Sequence, residues 1–122
     1  LMLRYETGGF NALHRDIRGD VFFPLQLVVV LSQRVATDRA CDAESFSGGE
    51  FLFGDDPQRK AGDGHKIAAG LGDAVLFCTR ARLVRVAGIY GWQSVKHGAT
   101  PVTTGIRYAL GVPFHEFRES KT

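Results

Sequence analysis

Apolar positions along the chain fall in short runs cut by glycine, aspartate and proline, and no stretch sustains a 3.6-residue period. That pattern predicts strands. Residues 1–5 read as a short strand closed by Thr7-Gly8-Gly9, residues 10–16 as a second extended piece, and Arg18-Gly19-Asp20 as a turn. Residues 22–32, with β-branched Val28-Val29-Val30, read as a buried strand near the middle of a sheet. Residues 33–47 are polar and irregular and read as a surface loop. Gly48-Gly49 leads into a strand over 50–53, and residues 54–64 read as a second loop. A short strand over 65–69, a turn over 70–73 and a strand over 74–77 follow. Residues 79–92 alternate arginines with apolar positions until Gly88 and Gly91 interrupt, and this stretch does not resolve into one element. A short strand over 94–98, a turn over 101–105 and a final strand over 106–114 complete the chain. Seven or eight short strands with such turns predict an all-β sandwich or jelly roll.

A length of 122 residues suits one domain, and 44% hydrophobic with 23% charged residues is ordinary for a globular chain. A formal charge of +2 excludes a strongly basic or acidic tail but leaves room for a local basic patch. The longest apolar run, residues 21–31, is broken by Pro24 and Gln26 and falls short of the roughly 20 apolar residues that span a bilayer. The start lacks the charged and apolar regions of a signal peptide. No membrane partner is therefore expected, and a cytoplasmic location is. Cys41 and Cys78 make neither a disulfide framework nor a CxxC metal site. Gly70-x-Gly72 lacks the third glycine of a dinucleotide fingerprint, and no GK[ST] is present.

The chemistry starts from His14-Arg15-Asp16. On a strand, positions i and i+2 share a face, so His14 and Asp16 point together and Arg15 points away. One imidazole and one carboxylate are two-thirds of the facial triad that binds non-haem Fe(II) with open positions. The third ligand must come from a distant strand, and His97 is the candidate. Alone, an H-x-D pair is weak, since a surface His beside a solvated Asp is commoner. Arg107 strengthens it. An arginine inside the apolar strand Gly105-Ile106-Arg107-Tyr108-Ala109-Leu110 is costly unless it meets an anion, and a guanidinium grips a carboxylate through two parallel hydrogen bonds.

Together, Tyr5, Gly8-Gly9, His14-x-Asp16, Gly48-Gly49-Glu50-Phe51, Gly72-Asp73-Ala74-Val75-Leu76-Phe77, His97-Gly98 and Gly105-x-Arg107-Tyr108 resemble the Fe(II)- and 2-oxoglutarate-dependent dioxygenases, in their prolyl 4-hydroxylase-like branch. More narrowly, Tyr5-Glu6-Thr7-Gly8-Gly9-Phe10-Asn11-Ala12-Leu13-His14 is similar to a bacterial family described as oxygenases acting on alkylated DNA. The resemblance covers nearly the whole chain. It implies a double-stranded β-helix, residues 1–122 forming one catalytic domain, and a C–H hydroxylation coupled to decarboxylation of 2-oxoglutarate to succinate. It implies His14, Asp16 and His97 as iron ligands, and Arg107 and Tyr5 as the pair holding the distal carboxylate of 2-oxoglutarate, with Thr103 a further candidate beside Arg107. O2 is the other cosubstrate, and ascorbate a candidate further requirement. The substrate is expected to be a methylated nucleobase, which would release formaldehyde, or a protein residue such as proline, which would keep a stable hydroxyl.

Two departures from the family pattern stand out. The helical layer and strands that usually precede the Tyr5 strand are missing, and the first residue is Leu, so a fragment of a longer domain is expected. AlkB-type repair enzymes carry a second arginine in the last strand, whereas Pro113 and Phe114 stand here and no arginine follows before Arg118. That favours the prolyl-hydroxylase-like side. The alternative is a non-enzymatic jelly-roll or cupin-like module binding a metal or anion. A cupin draws several histidines from one cluster, and the first motif here holds one. His65 and His115 read as surface or structural, and Cys78 as a small buried hydrophobe. Arg80, Arg82, Arg85 and Lys96 lie near Tyr90 and Trp92. The favoured reading is a solvated strand face with two core aromatics; the other is a rim that meets nucleic-acid phosphates while the aromatics stack on a base.

Overall fold

Alternation along one long strand sets the architecture. Gln26, Val28 and Val30 are buried, while Leu25, Leu27 and Val29 between them remain partly open. One face of this strand therefore meets the core and the other does not. The structure, a computed structural model, describes residues 1–16, 21–36, 42, 44–54 and 64–116.

Thirteen strands are formed among the described residues: β1 (Met2–Tyr5), β2 (Asn11–His14), β3 (Val21–Val30), β4 (Gln33–Arg34), β5 (Ser45–Gly48), β6 (Phe51–Gly54), β7 (His65–Ile67), β8 (Ala74–Cys78), β9 (Ala81–Val86), β10 (Ile89–Ser94), β11 (Lys96–Ala99), β12 (Val102–Gly105) and β13 (Arg107–Glu116). No helix is formed among them, and none is long and apolar enough to cross a membrane. The major sheet runs β1-β13-β3-β8, a second sheet β2-β11-β6-β7, a third β12-β5-β4, and β9 and β10 form a separate ribbon. The fold is all-β with a jelly-roll-like core. Its first and last strands pair, and the Leu1 ammonium donates to the Gly111 carbonyl at 2.9 Å.

Two apolar clusters bind the major sheet to the others. Val28, Phe77 and Ala109 of the major sheet pack with Phe51 of β6, and Val30 packs with Phe46 of β5, Ala69 and Val102 of β12. The β13–β3 pairing slips between Pro113 and His115. Proline brings no backbone donor, so Pro24 and Pro113 concentrate the break in the ladder there.

The sequence expectations need three corrections. The surface loop over 33–47 contains β4 and the buried strand β5; residues 37–41 and 43 lie outside the described residues. The hydroxyls of β5 hid it. Ser45 and Ser47 are buried, but Ser45 Oγ accepts from the Asp42 amide at 3.0 Å and Ser47 Oγ meets Thr103 Oγ1 at 2.7 Å and Thr104 Oγ1 at 2.6 Å. The turn over 101–105 is mostly strand β12, and the unresolved stretch over 79–92 is largely the β9–β10 hairpin. The Arg18-Gly19-Asp20 turn, positions 55–63 of the second loop, Cys41 and Arg118 lie outside the described residues.

Candidate metal centre

Strand β2 ends at His14, yet the alternation of burial continues beyond it: His14 and Asp16 are half-buried and Arg15 between them is exposed. His97 arrives from β11, which pairs with β2 in a register that sets His97 directly opposite His14. The two rings lie 4.3 Å apart between centroids. Gly98 makes this approach possible, since a Cβ there would stand 2.4 Å from the Asn11 carbonyl oxygen. Asp16 lies between the imidazoles, with Oδ1 3.5 Å from His14 Nε2 and Oδ2 3.2 Å from His97 Nε2. One ligating atom from each residue falls within 4.8 Å of the others.

The ring orientations suit a cation. His14 Nδ1 lies 2.7 Å from the Ala12 carbonyl oxygen, which only a ring N–H can satisfy, and this turns Nε2 toward Asp16. Burial, then the neighbouring His14, push the His97 imidazole down to about 4 against the opposing pull of Asp16. A neutral imidazole is the form that ligates a metal. Phe51 and Phe77 flank the His97 ring, and His97 is only 5% exposed, so its inner side is dry. Two imidazoles and a carboxylate are a donor set that fits Fe(II).

A cavity of about 80 Å³ opens beside the triad, lined in part by Tyr5, Asn11, Gln26, Phe51 and Arg107. Arg107 is 3% exposed, its Nε has no partner, and no described carboxylate pairs with it. Burial pulls its guanidinium below the ordinary value; the Tyr5 side chain opposes this and the charge of Arg34 adds to it. The Tyr5 ring lies beneath the guanidinium at 5.2 Å, and Asn11 Nδ2 donates to Tyr5 Oη at 3.5 Å. Gly49 leaves room for the arginine, since a Cβ there would come 2.9 Å from Arg107 Cδ. Arg34 is a useful contrast. It donates to the Gly48 carbonyl at 2.7 Å and to Glu50 Oε1 at 2.9 Å, and the Thr100 hydroxyl donates to the other Glu50 oxygen. One arginine is neutralised by the protein; the other meets the cavity with a bare cation. A small carboxylate fits that vacant charge and volume.

Five of the six candidate site residues thus share one site: His14, Asp16, His97, Tyr5 and Arg107. Thr103 does not line the cavity; it is exposed on β12 with its hydroxyl on Ser47. Gln26 and Asn11 do line it and were not singled out from the sequence. Gln26 did leave a signal, as the one polar side chain interrupting the apolar run of β3, and its buried Nε2 has no partner among the described residues. His65 is exposed on β7, and Cys78 is partly buried.

Residues 1–117 match the family described as an oxygenase catalysing oxidative methylation of damaged DNA. The chain belongs to that oxygenase family. Its match does not single out the prolyl 4-hydroxylase-like branch. Uncharacterized proteins from two strains of Mycobacterium tuberculosis are each 38% identical over 117 residues, covering 95% of this chain and 46% of their own length. The chain therefore spans about half the length of these relatives. No solved structure matches it.

Proposed function

We propose that this oxygenase depends on Fe(II) and 2-oxoglutarate and removes a methyl group from an alkylated nucleobase. The observation that carries this reading is Arg107: a buried guanidinium with no carboxylate partner among the described residues, in the same small cavity as a His-Asp-His cluster. A cation so placed lowers its energy by taking an anion from outside. His14, Asp16 and His97 would hold the metal, and Arg107 with Tyr5 and Asn11 the distal carboxylate of 2-oxoglutarate. When bound, the metal and its cosubstrate supply an oxidant strong enough to hydroxylate an unactivated C–H bond, with 2-oxoglutarate decarboxylated to succinate.

The protein's own part is positioning and exclusion of water. The Ala12 carbonyl orients His14, Phe51 and Phe77 wall in His97, and β2–β11 pairing sets the imidazoles side by side. No side chain has to act as a general base. The family's description points to DNA as substrate. Oxidation at an N-methyl carbon gives a hydroxymethyl group that leaves as formaldehyde, so an oxygenase of this kind takes methyl groups off rather than adding them.

Anaerobic titration with Fe(II) and then 2-oxoglutarate tests the site. A visible charge-transfer band is expected in the wild type and not in His97→Ala. A folded wild type with no band would sink the cofactor assignment and restore the binding-module alternative. Turnover that releases formaldehyde from a methylated oligonucleotide supports the nucleobase; a stable 16-dalton gain on a peptide would replace it with a protein substrate.

A further inference from the structure

The β9–β10 ribbon takes no part in the facing sheets. It closes through a two-residue turn, Ala87 (φ 50°) and Gly88 (φ 83°), the left-handed pair that matches strand twist in a tight hairpin. Its register sets Trp92 opposite Leu83 and Tyr90 opposite Arg85, so these four side chains share one face. The face is open to solvent: Trp92 is 76% exposed and Tyr90 64%. The sequence expectation of two core aromatics is therefore overturned. The Arg85 guanidinium lies over the Tyr90 ring at 5.6 Å.

At the foot of the ribbon is a groove of about 440 Å³, lined by Arg15, Phe23, Pro24, Thr79, Arg80 and Trp92 among others. Thr79 is 5% exposed and its hydroxyl has no partner among the described residues, so the groove contains an unsatisfied polar group. Arg15, which lines this groove, is the exposed residue between the half-buried His14 and Asp16 in the chain. The cavity beside the triad, at about 80 Å³, leaves little room for a polymer. The segment that contains the ribbon has no acidic side chain. Residues 74–115 contain five of the fifteen basic residues and none of the thirteen acidic ones. A modest net charge conceals this asymmetry.

We propose that this ribbon and groove bind single-stranded nucleic acid, with Arg15, Arg80 and Arg85 on phosphates and Trp92 and Tyr90 stacked on bases. The proposal rests on the nucleobase reading above and adds the surface and the strandedness. Flat exposed rings interleaved with arginines fit bases whose faces are free, which a duplex hides. The absence of acidic side chains from 74–115 fits a polyanion.

Trp92 is the single tryptophan, so its emission reports directly on the surface. The metal-free full chain is titrated with a short oligothymidylate at several salt concentrations. Quenching of Trp92 emission is expected, with log affinity falling linearly in log salt. Arg80→Ala and Arg85→Ala should each reduce the salt slope by roughly one. Trp92→Ala, read by anisotropy of a labelled oligonucleotide, should weaken binding roughly tenfold to a hundredfold without changing the thermal melt. Absence of binding, equal affinity in Trp92→Ala, or preference for duplex would each overturn the proposal. So would self-association through Trp92 without oligonucleotide binding, which would assign the face to a second copy. A cofactor band without oligonucleotide binding refutes the ribbon alone, and binding without a band refutes the cofactor assignment alone.

Discussion

Arg107→Met separates stability from function. In the ligand-free chain the guanidinium is buried with an orphaned Nε, and such a group costs about 1–3 kcal/mol. Against this stands the contact with the Tyr5 ring, worth roughly 0.5–2 kcal/mol for a desolvated cation. Methionine fills similar space with a flexible apolar chain. The variant should therefore be more stable without ligand, by about 1 kcal/mol, or roughly 3–5 °C in Tm for a domain of this size. Cosubstrate should reverse the order. With Fe(II) present under anaerobic conditions, 2-oxoglutarate at 100 times its Kd should stabilise the wild type by about 2.7 kcal/mol and leave the variant unmoved. Urea denaturation with and without 2-oxoglutarate measures both terms and requires no turnover. A variant less stable by more than about 2 kcal/mol without ligand would mean that the guanidinium is a structural contact. A variant still stabilised by 2-oxoglutarate would mean that the carboxylate binds elsewhere.

Gly98→Ala should force β2 and β11 apart, because the new methyl would stand 2.4 Å from the Asn11 carbonyl oxygen; a drop in Fe(II) affinity of at least about tenfold, measured by metal titration, is expected. Burial raises the Glu50 carboxyl, but hydrogen bonds from Thr100 and its own amide, with Arg34, outweigh this and hold it below the ordinary 4.5. A depressed carboxylate adds stability that is fully present above pH 4.5 and lost as pH falls through the folded value, so acid melts of Glu50→Gln should show a flatter pH dependence in that window. Phe46→Ala, at a side chain with no exposure, should cost about 3–5 kcal/mol in urea denaturation.

Local chemistry was legible wherever it followed strand alternation. His14 and Asp16 are two residues apart and are both half-buried, and the isolated arginine in the apolar final strand lines the same cavity. The strand containing β5 escaped notice because Ser45, Ser47 and the glycines around Phe46 look like loop residues until Asp42, Thr103 and Thr104 satisfy the hydroxyls. Trp92 and Tyr90 were misplaced for the opposite reason. Aromatic residues on a strand usually meet a core, and whether a hairpin docks or projects depends on sheets formed elsewhere in the chain.

Local pattern alone was enough for the all-β class, for the two-residue spacing of His14 and Asp16, and for an arginine set inside an apolar strand. Each is a property of neighbouring residues and the two-residue strand repeat. That His97 faces His14, that Arg34 meets a carboxylate while Arg107 meets none among the described residues, and that the aromatics of the β9–β10 ribbon stand in solvent came from long-range folding. Those outcomes depend on register between strands far apart in the chain. A shift of one residue in β11 against β2 would turn His97 to the other face, and nothing local to either strand sets that register.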